Sequence, residues 1–114
     1  IKNLGQVKYL SAMKYVDLLI GNSSSGIIEA ASFKKPVVNI GNRQKGRLKG
    51  INVIDCYIDS LKKSINLALS TSFINKINNI KNLYGDGNAA DIIVEKLKTE
   101  PLSAIKKFRD QIKE

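Results

Sequence analysis

A chain of 114 residues is enough for one domain, which buries roughly two-thirds of its unfolded surface, so a modest core is expected. Cys56 is the single cysteine and histidine is absent, which excludes disulfide frameworks, zinc sites with the usual ligands and histidine-based triads. The net charge of +9 raises nucleic-acid binding, but all except Arg43, Arg47 and Arg109 of the 19 cations are lysines, spread from Lys2 to Lys113. With few, scattered aromatics to stack on bases, that pattern reads as a solvated basic surface rather than a nucleic-acid interface.

The chain opens on Ile1 and enters at once on a half-amphipathic segment, as expected of a fragment. Gly5 to Tyr15 carries Val7, Leu10, Met13 and Tyr15 at partly helical spacing, and Val16, Leu18, Leu19 and Ile20 then form a short apolar run ending at Gly21. This predicts a helix followed by a buried strand. Ile27, Ile28, Ala30, Ala31 and Phe33 predict a short helix that Pro36 ends, because the residue before proline avoids the helical region. Val37 to Ile40 and Asn52 to Cys56 read as further strands around a polar loop from Gly41 to Gly50.

From Ser60 the pattern turns helical, with Leu61, Ile65, Leu67 and Leu69, then Phe73, Ile77 and Ile80 after a break at Ser70 to Ser72. Tyr84 to Asn88 is turn chemistry with Asn88 available as a cap, and a helix from Ala89 to about Lys98 follows. Pro101 stands where a last helix, Leu102 to Ile112, would begin. The alternation predicts an α/β fold, a parallel sheet with flanking helices, whose open edge is expected to continue in further residues. No apolar run of about 18 residues and no signal-peptide pattern is visible, so the reading expects a cytoplasmic protein without membrane contact.

The stretch GNSSSG, Gly21 to Gly26, stands where the first strand hands over to a helix. Strand ends of open α/β sheets are where ligands bind, and helix starts favour anions. Ser23, Ser24 and Ser25 offer hydroxyls there, and Gly26 lets a ligand approach the backbone. A single capping serine, with Glu29 reaching back as a capping box, is the plainer alternative. Glu29 can accept two hydroxyl hydrogen bonds, as from a ribose, or can merely complement the helix dipole. The loop Asn42 to Lys49 holds Arg43 and Arg47, suited to bidentate phosphate contacts, or else is an exposed basic loop. Together these groups describe a nucleotide diphosphate site.

The stretch GNSSSGIIEAASFKKPVVNIGNRQKGR resembles the signature region of the hydrolysing UDP-N-acetylglucosamine 2-epimerases, and NLYGDGNAADIIVEKL is similar to that family's carboxyl-terminal segment. Leu83 departs from the proline expected before Tyr84, a change that touches loop stiffness and not the site. The resemblance implies the last part of the second domain of a two-domain, GT-B-like enzyme with Rossmann-like domains, residues 1–100 forming the partial nucleotide-binding domain. Residues 101–114 would be a terminal helix crossing to the missing amino-terminal domain.

It implies UDP contacts from Ser23, Ser24, Glu29 and Arg43, with Ser25, Gly26 and Arg47 as further contacts. It also implies a UDP-sugar substrate, no cofactor, no metal and a homodimer when full length. The implied reaction, in sialic-acid-like sugar biosynthesis, eliminates UDP across C1 and C2 of UDP-N-acetylglucosamine or a related acetamido sugar and then adds water with inversion at C2. The acid and base groups lie elsewhere in such an enzyme, so no catalytic residue is expected in this chain. A UDP-sugar-dependent glycosyltransferase of the same architecture and a non-catalytic basic nucleic-acid module are the alternatives.

Overall fold

The computed structural model describes residues 4–101. In chain order they form α1 (Gly5–Tyr15), β1 (Leu19–Gly21), α2 (Ser24–Ile28), β2 (Val37–Ile40), β3 (Val53–Cys56), α3 (Leu61–Ala68), α4 (Thr71–Ile77) and α5 (Ala89–Thr99). The three strands are parallel and lie in the order β1-β2-β3. The α/β class read from the alternation is therefore correct. The predicted helix at residues 102–112 lies outside the described residues.

Register explains how the sheet divides its faces. Leu19, Val37 and Val53 pair across the strands and face one way, as do Gly21, Asn39 and Asp55 two residues on. Met13 of α1 and Ala30 pack on Val37, with Tyr9, Leu19, Phe33 and Val53 around them. The opposite face sets Val38 and Cys56 against Ala68 of α3, flanked by Leu18, Ile40, Ile54, Leu61 and Ile65. Buried on both sides, β2 has the uninterrupted apolar start that a central parallel strand requires.

Several local expectations change. In α1 the buried face runs through Tyr9 and Met13, four apart, while Val7 and Tyr15 face solvent. The apolar run before Gly21 pairs only over Leu19–Gly21. The predicted helix of residues 27–33 divides at Glu29, with α2 before it and a 3₁₀ turn, Ala30–Phe33, after it. Lys34 closes that turn in the left-handed region at φ 54°, ahead of the buried Pro36. In α3 the buried stripe is Leu61, Ser64, Ile65 and Ala68, the i, i+3, i+4, i+7 set, and Leu67 and Leu69 are left half exposed.

Ser70 caps α4 by accepting from the Phe73 amide, and Ile77 is fully buried. Asn88 stands at the N-cap of α5, but its side chain makes no capping bond there. α5 buries none of its residues.

Candidate functional site

The serine turn divides its hydroxyls between different tasks. Ser23 is the N-cap of α2: its backbone is extended, and its hydroxyl oxygen accepts from the Ser25 amide at 3.3 Å. Ser24 opens the helix, and its hydroxyl has no hydrogen-bond partner among the described residues. The Ser25 hydroxyl donates to Glu29 Oε2 at 2.6 Å, and the Tyr9 hydroxyl is bonded to the same Ser25 oxygen. Glu29 is therefore the C-cap of α2 and the acceptor of Ser25, not the far end of a capping box. Gly26 has a packing reason, since a Cβ there would meet Val37 Cγ1 at 3.0 Å.

Beyond β2, Gly41 turns the chain with a positive φ of 77° while its amide still bonds Cys56 of β3. The following loop is pinned by a residue that the sequence reading passed over. Gln44 is 3% exposed, and its Nε2 donates to the Asn22 carbonyl at 2.7 Å. That bond joins the loop after β2 to the turn after β1. Arg43, next to the pin, and Arg47 are both exposed, and neither guanidinium is paired with an acid among the described residues. The structure thus groups Ser23, Ser24, Ser25, Gly26 and Glu29 on one turn and sets the arginine loop against it.

Asp55 stands one strand further on. It accepts from buried Asn39 at 2.6 Å and pairs with Lys49 at 2.7 Å. Burial pushes its carboxyl up, but the hydrogen bonds from Lys49 and Asn39 and the Lys49 charge outweigh this, so the group sits below its ordinary value. A cavity of about 400 Å³ opens here, lined by Asn42, Lys45, Lys49, Asp55, Tyr57 and Ser60 among others.

A distant segment braces both loops. Asn82 Nδ2 donates to the Ile28 carbonyl at 2.8 Å and to Ser32 Oγ at 2.7 Å, holding the end of α2. The Tyr84 hydroxyl donates to the Leu48 carbonyl at 2.8 Å, fixing the far end of the arginine loop. Among the described residues no three His, Cys, Asp or Glu side chains group to hold a metal ion, and no helix is long and apolar enough to cross a membrane.

Residues 1–98 match the family described as UDP-N-acetylglucosamine 2-epimerase. The chain belongs to this family. It is 52% identical over 71 residues to the GDP/UDP-N,N′-diacetylbacillosamine 2-epimerase (hydrolyzing) of Campylobacter jejuni, covering 62% of this chain and 18% of the relative. Over 104 residues, 90% of the chain, it is 40% identical to the UDP-N,N′-diacetylbacillosamine 2-epimerase (hydrolyzing) of Legionella pneumophila, 26% of whose length is covered. The polysialic acid biosynthesis protein P7 of Escherichia coli is 39% identical over 104 residues, covering 90% of the chain and 27% of that protein. At its longest matches the chain spans about a quarter of the length of these curated relatives. The family match takes in the serine turn, the arginine loop and the Asn82–Tyr84 brace together.

Proposed function

We propose that this chain carries the UDP site of a hydrolysing UDP-N-acetylglucosamine 2-epimerase. The observation that carries the reading is the Gln44–Asn22 bond, which brings a turn rich in hydroxyls and amides against a loop with two unpaired arginines. Ser23 and Ser24 contact the diphosphate through hydroxyl or backbone groups, Arg43 supplies its counter-charge, and Glu29 accepts from the ribose. Gly26 and Arg47 complete the surroundings. Two relatives are named for N,N′-diacetylbacillosamine and one for polysialic acid biosynthesis, which supports an N-acetylated sugar as substrate and a sialic-acid-like product.

In the proposed reaction the C2 proton is removed, the bond from C1 to the diphosphate oxygen breaks and a C1–C2 double bond forms. Water then adds, hydroxyl to C1 and a proton to C2 on the opposite face, giving the free 2-epimer and UDP. Negative charge grows on the departing diphosphate, so fixed positive potential from Arg43 and the turn amides favours the transition state over the ground state. Proton transfers fall to groups in the rest of the protein, a second Rossmann-like domain across a cleft. The reading takes the whole enzyme as a cytoplasmic homodimer.

Incubating the intact protein with UDP-N-acetylglucosamine in deuterated water tests this. Release of UDP together with N-acetylmannosamine carrying deuterium at C2 is the expected result. Sugar transfer that requires an added acceptor, with no free epimer, would replace the epimerase by a transferase. The UDP site itself is tested by calorimetry with UDP, CDP and GDP, where saturable binding that depends on Arg43 is expected.

A further inference from the structure

Three side chains beside the serine turn form a directed chain of hydrogen bonds. The Ser25 hydroxyl donates to Glu29 Oε2 at 2.6 Å, and the Tyr9 hydroxyl contacts the Ser25 oxygen. A serine hydroxyl has one hydrogen to give. Since Glu29 receives it, Tyr9 must be the donor to Ser25, and the direction of the chain is fixed from Tyr9 through Ser25 to Glu29. Linked bonds of this kind polarise one another, and all three residues are half-buried, where water screens them less.

The far end of the chain is anchored in the core. The Tyr9 ring packs against the Met13, Ala30 and Val37 cluster, so its hydroxyl stands on a rigid support. Glu29 lies at the end of a five-residue helix, where a glutamate would otherwise sample several rotamers. Freezing that side chain before a ligand arrives removes an ordering cost from binding. Oε2 is held by Ser25, while Oε1 has no partner among the described residues.

We propose that Ser25 is a positioning residue: with Tyr9 behind it, it holds Glu29 in the orientation that accepts ribose hydroxyls from a nucleoside diphosphate, and it does not itself contact the nucleotide. This rests on the assignment of Glu29 to the ribose made above. It separates Ser25 from Ser24, whose hydroxyl remains available to the diphosphate.

The test compares UDP with 2′-deoxy-UDP binding to the intact protein, because the ratio of the two affinities reports ribose recognition and is insensitive to a general loss of structure. Glu29→Gln should bring the ratio towards one. Ser25→Ala should lower it by about tenfold, Tyr9→Phe by less, and Ser25→Thr should restore it. The double variant Ser25→Ala, Glu29→Gln should match Glu29→Gln alone. If Ser25→Ala weakens both nucleotides equally, Ser25 is a phosphate contact or a structural staple and the proposal is overturned. If Glu29→Gln leaves the ratio unchanged, the ribose assignment itself fails, a different result from a failure of Ser25 alone. Should Ser25→Ala not fold, Tyr9→Phe reads the same chain with the ring packing kept, and an unchanged ratio there overturns the proposal.

Discussion

The turn after β1 commits the hydroxyls of Ser23 and Ser25 to local bonds, whereas the loop after β2 leaves its two arginines to solvent. Ser23 caps a helix and Ser25 is shared between Tyr9 and Glu29. Arg43 and Arg47 lack such partners, and Gln44 between them does the holding. On the proposed UDP reading, the difference separates two requirements of an anion site. Oriented hydroxyls and amides must be fixed before the ligand comes, while a long cation works best on a short, firmly anchored loop. Substitutions in the turn should therefore disturb stability and recognition together, and substitutions of the exposed arginines should disturb recognition alone.

The largest effect is expected at Arg43. Arg43→Ala should weaken UDP binding by about 1.5 to 3 kcal/mol, the range for hydrogen bonds to charged groups, and leave the melting temperature unchanged. A drop in melting temperature with unchanged affinity would show that the arginine loop is as self-committed as the serine turn. Gln44→Leu comes next. It fills the site but removes the donor to Asn22, at a cost of about 1 to 2 kcal/mol, and calorimetry should show a midpoint several degrees lower with a parallel loss of UDP affinity. If stability falls and affinity does not, the pin holds the fold without setting the site.

A smaller effect is expected from Ser23→Ala, about 0.5 to 1 kcal/mol of stability through loss of the α2 cap, measured by urea titration. Ser23→Asp, which restores the cap while adding a negative charge, should recover stability and lose UDP. Recovery of both would remove Ser23 from the diphosphate contacts.

The smallest effect belongs to Asp55. Its folded pKa lies below the unfolded one, so its contribution is present above the unfolded value, near pH 4, and is lost as pH falls through the folded value. The side chain is 54% exposed and solvent screens the pair, so the contribution is a few tenths of a kcal/mol by about the measure of exposed ion pairs. Asp55→Asn should flatten the acid limb of the stability curve by that amount. A steeper acid limb in the variant would reverse the sign of the Lys49 and Asn39 interactions.

Much of this architecture was legible because backbone chemistry is local. Val37 to Ile40 reads as a buried strand from its own residues, and Pro36 marks its start without reference to anything distant. The serine turn was legible for the same reason. Gln44 was not: nothing in NRQKG distinguishes an inward glutamine from its exposed neighbours, and its burial depends on the Asn22 carbonyl being brought beside it by the parallel pairing of β1 with β2. Asn82 was hidden likewise, because its partners, Ile28 and Ser32, lie far away in sequence. In α3 the error lay in choosing the larger residues. Leu67 and Leu69 are more apolar than Ser64 and Ala68, yet helix geometry places the smaller pair against the sheet, where close approach needs small side chains. The roles proposed for Ser23, Ser24, Glu29 and Arg43 are suggested by residue types that equally fit a cap, a dipole partner and a basic loop, and the resemblance sharpened that choice.

Cys56, the single thiol of the chain, ends β3 within the cluster that joins the sheet to α3 and is 6% exposed. A bulky thiol reagent needs more room than a sulfur 6% exposed offers, so its labelling rate reports how readily that cluster loosens. The residue also borders the cavity beyond β2 and β3, next to Asp55. Slower labelling of this one sulfur in the presence of a nucleotide would report ligand occupying the sheet's carboxyl edge, with no label engineered into the protein.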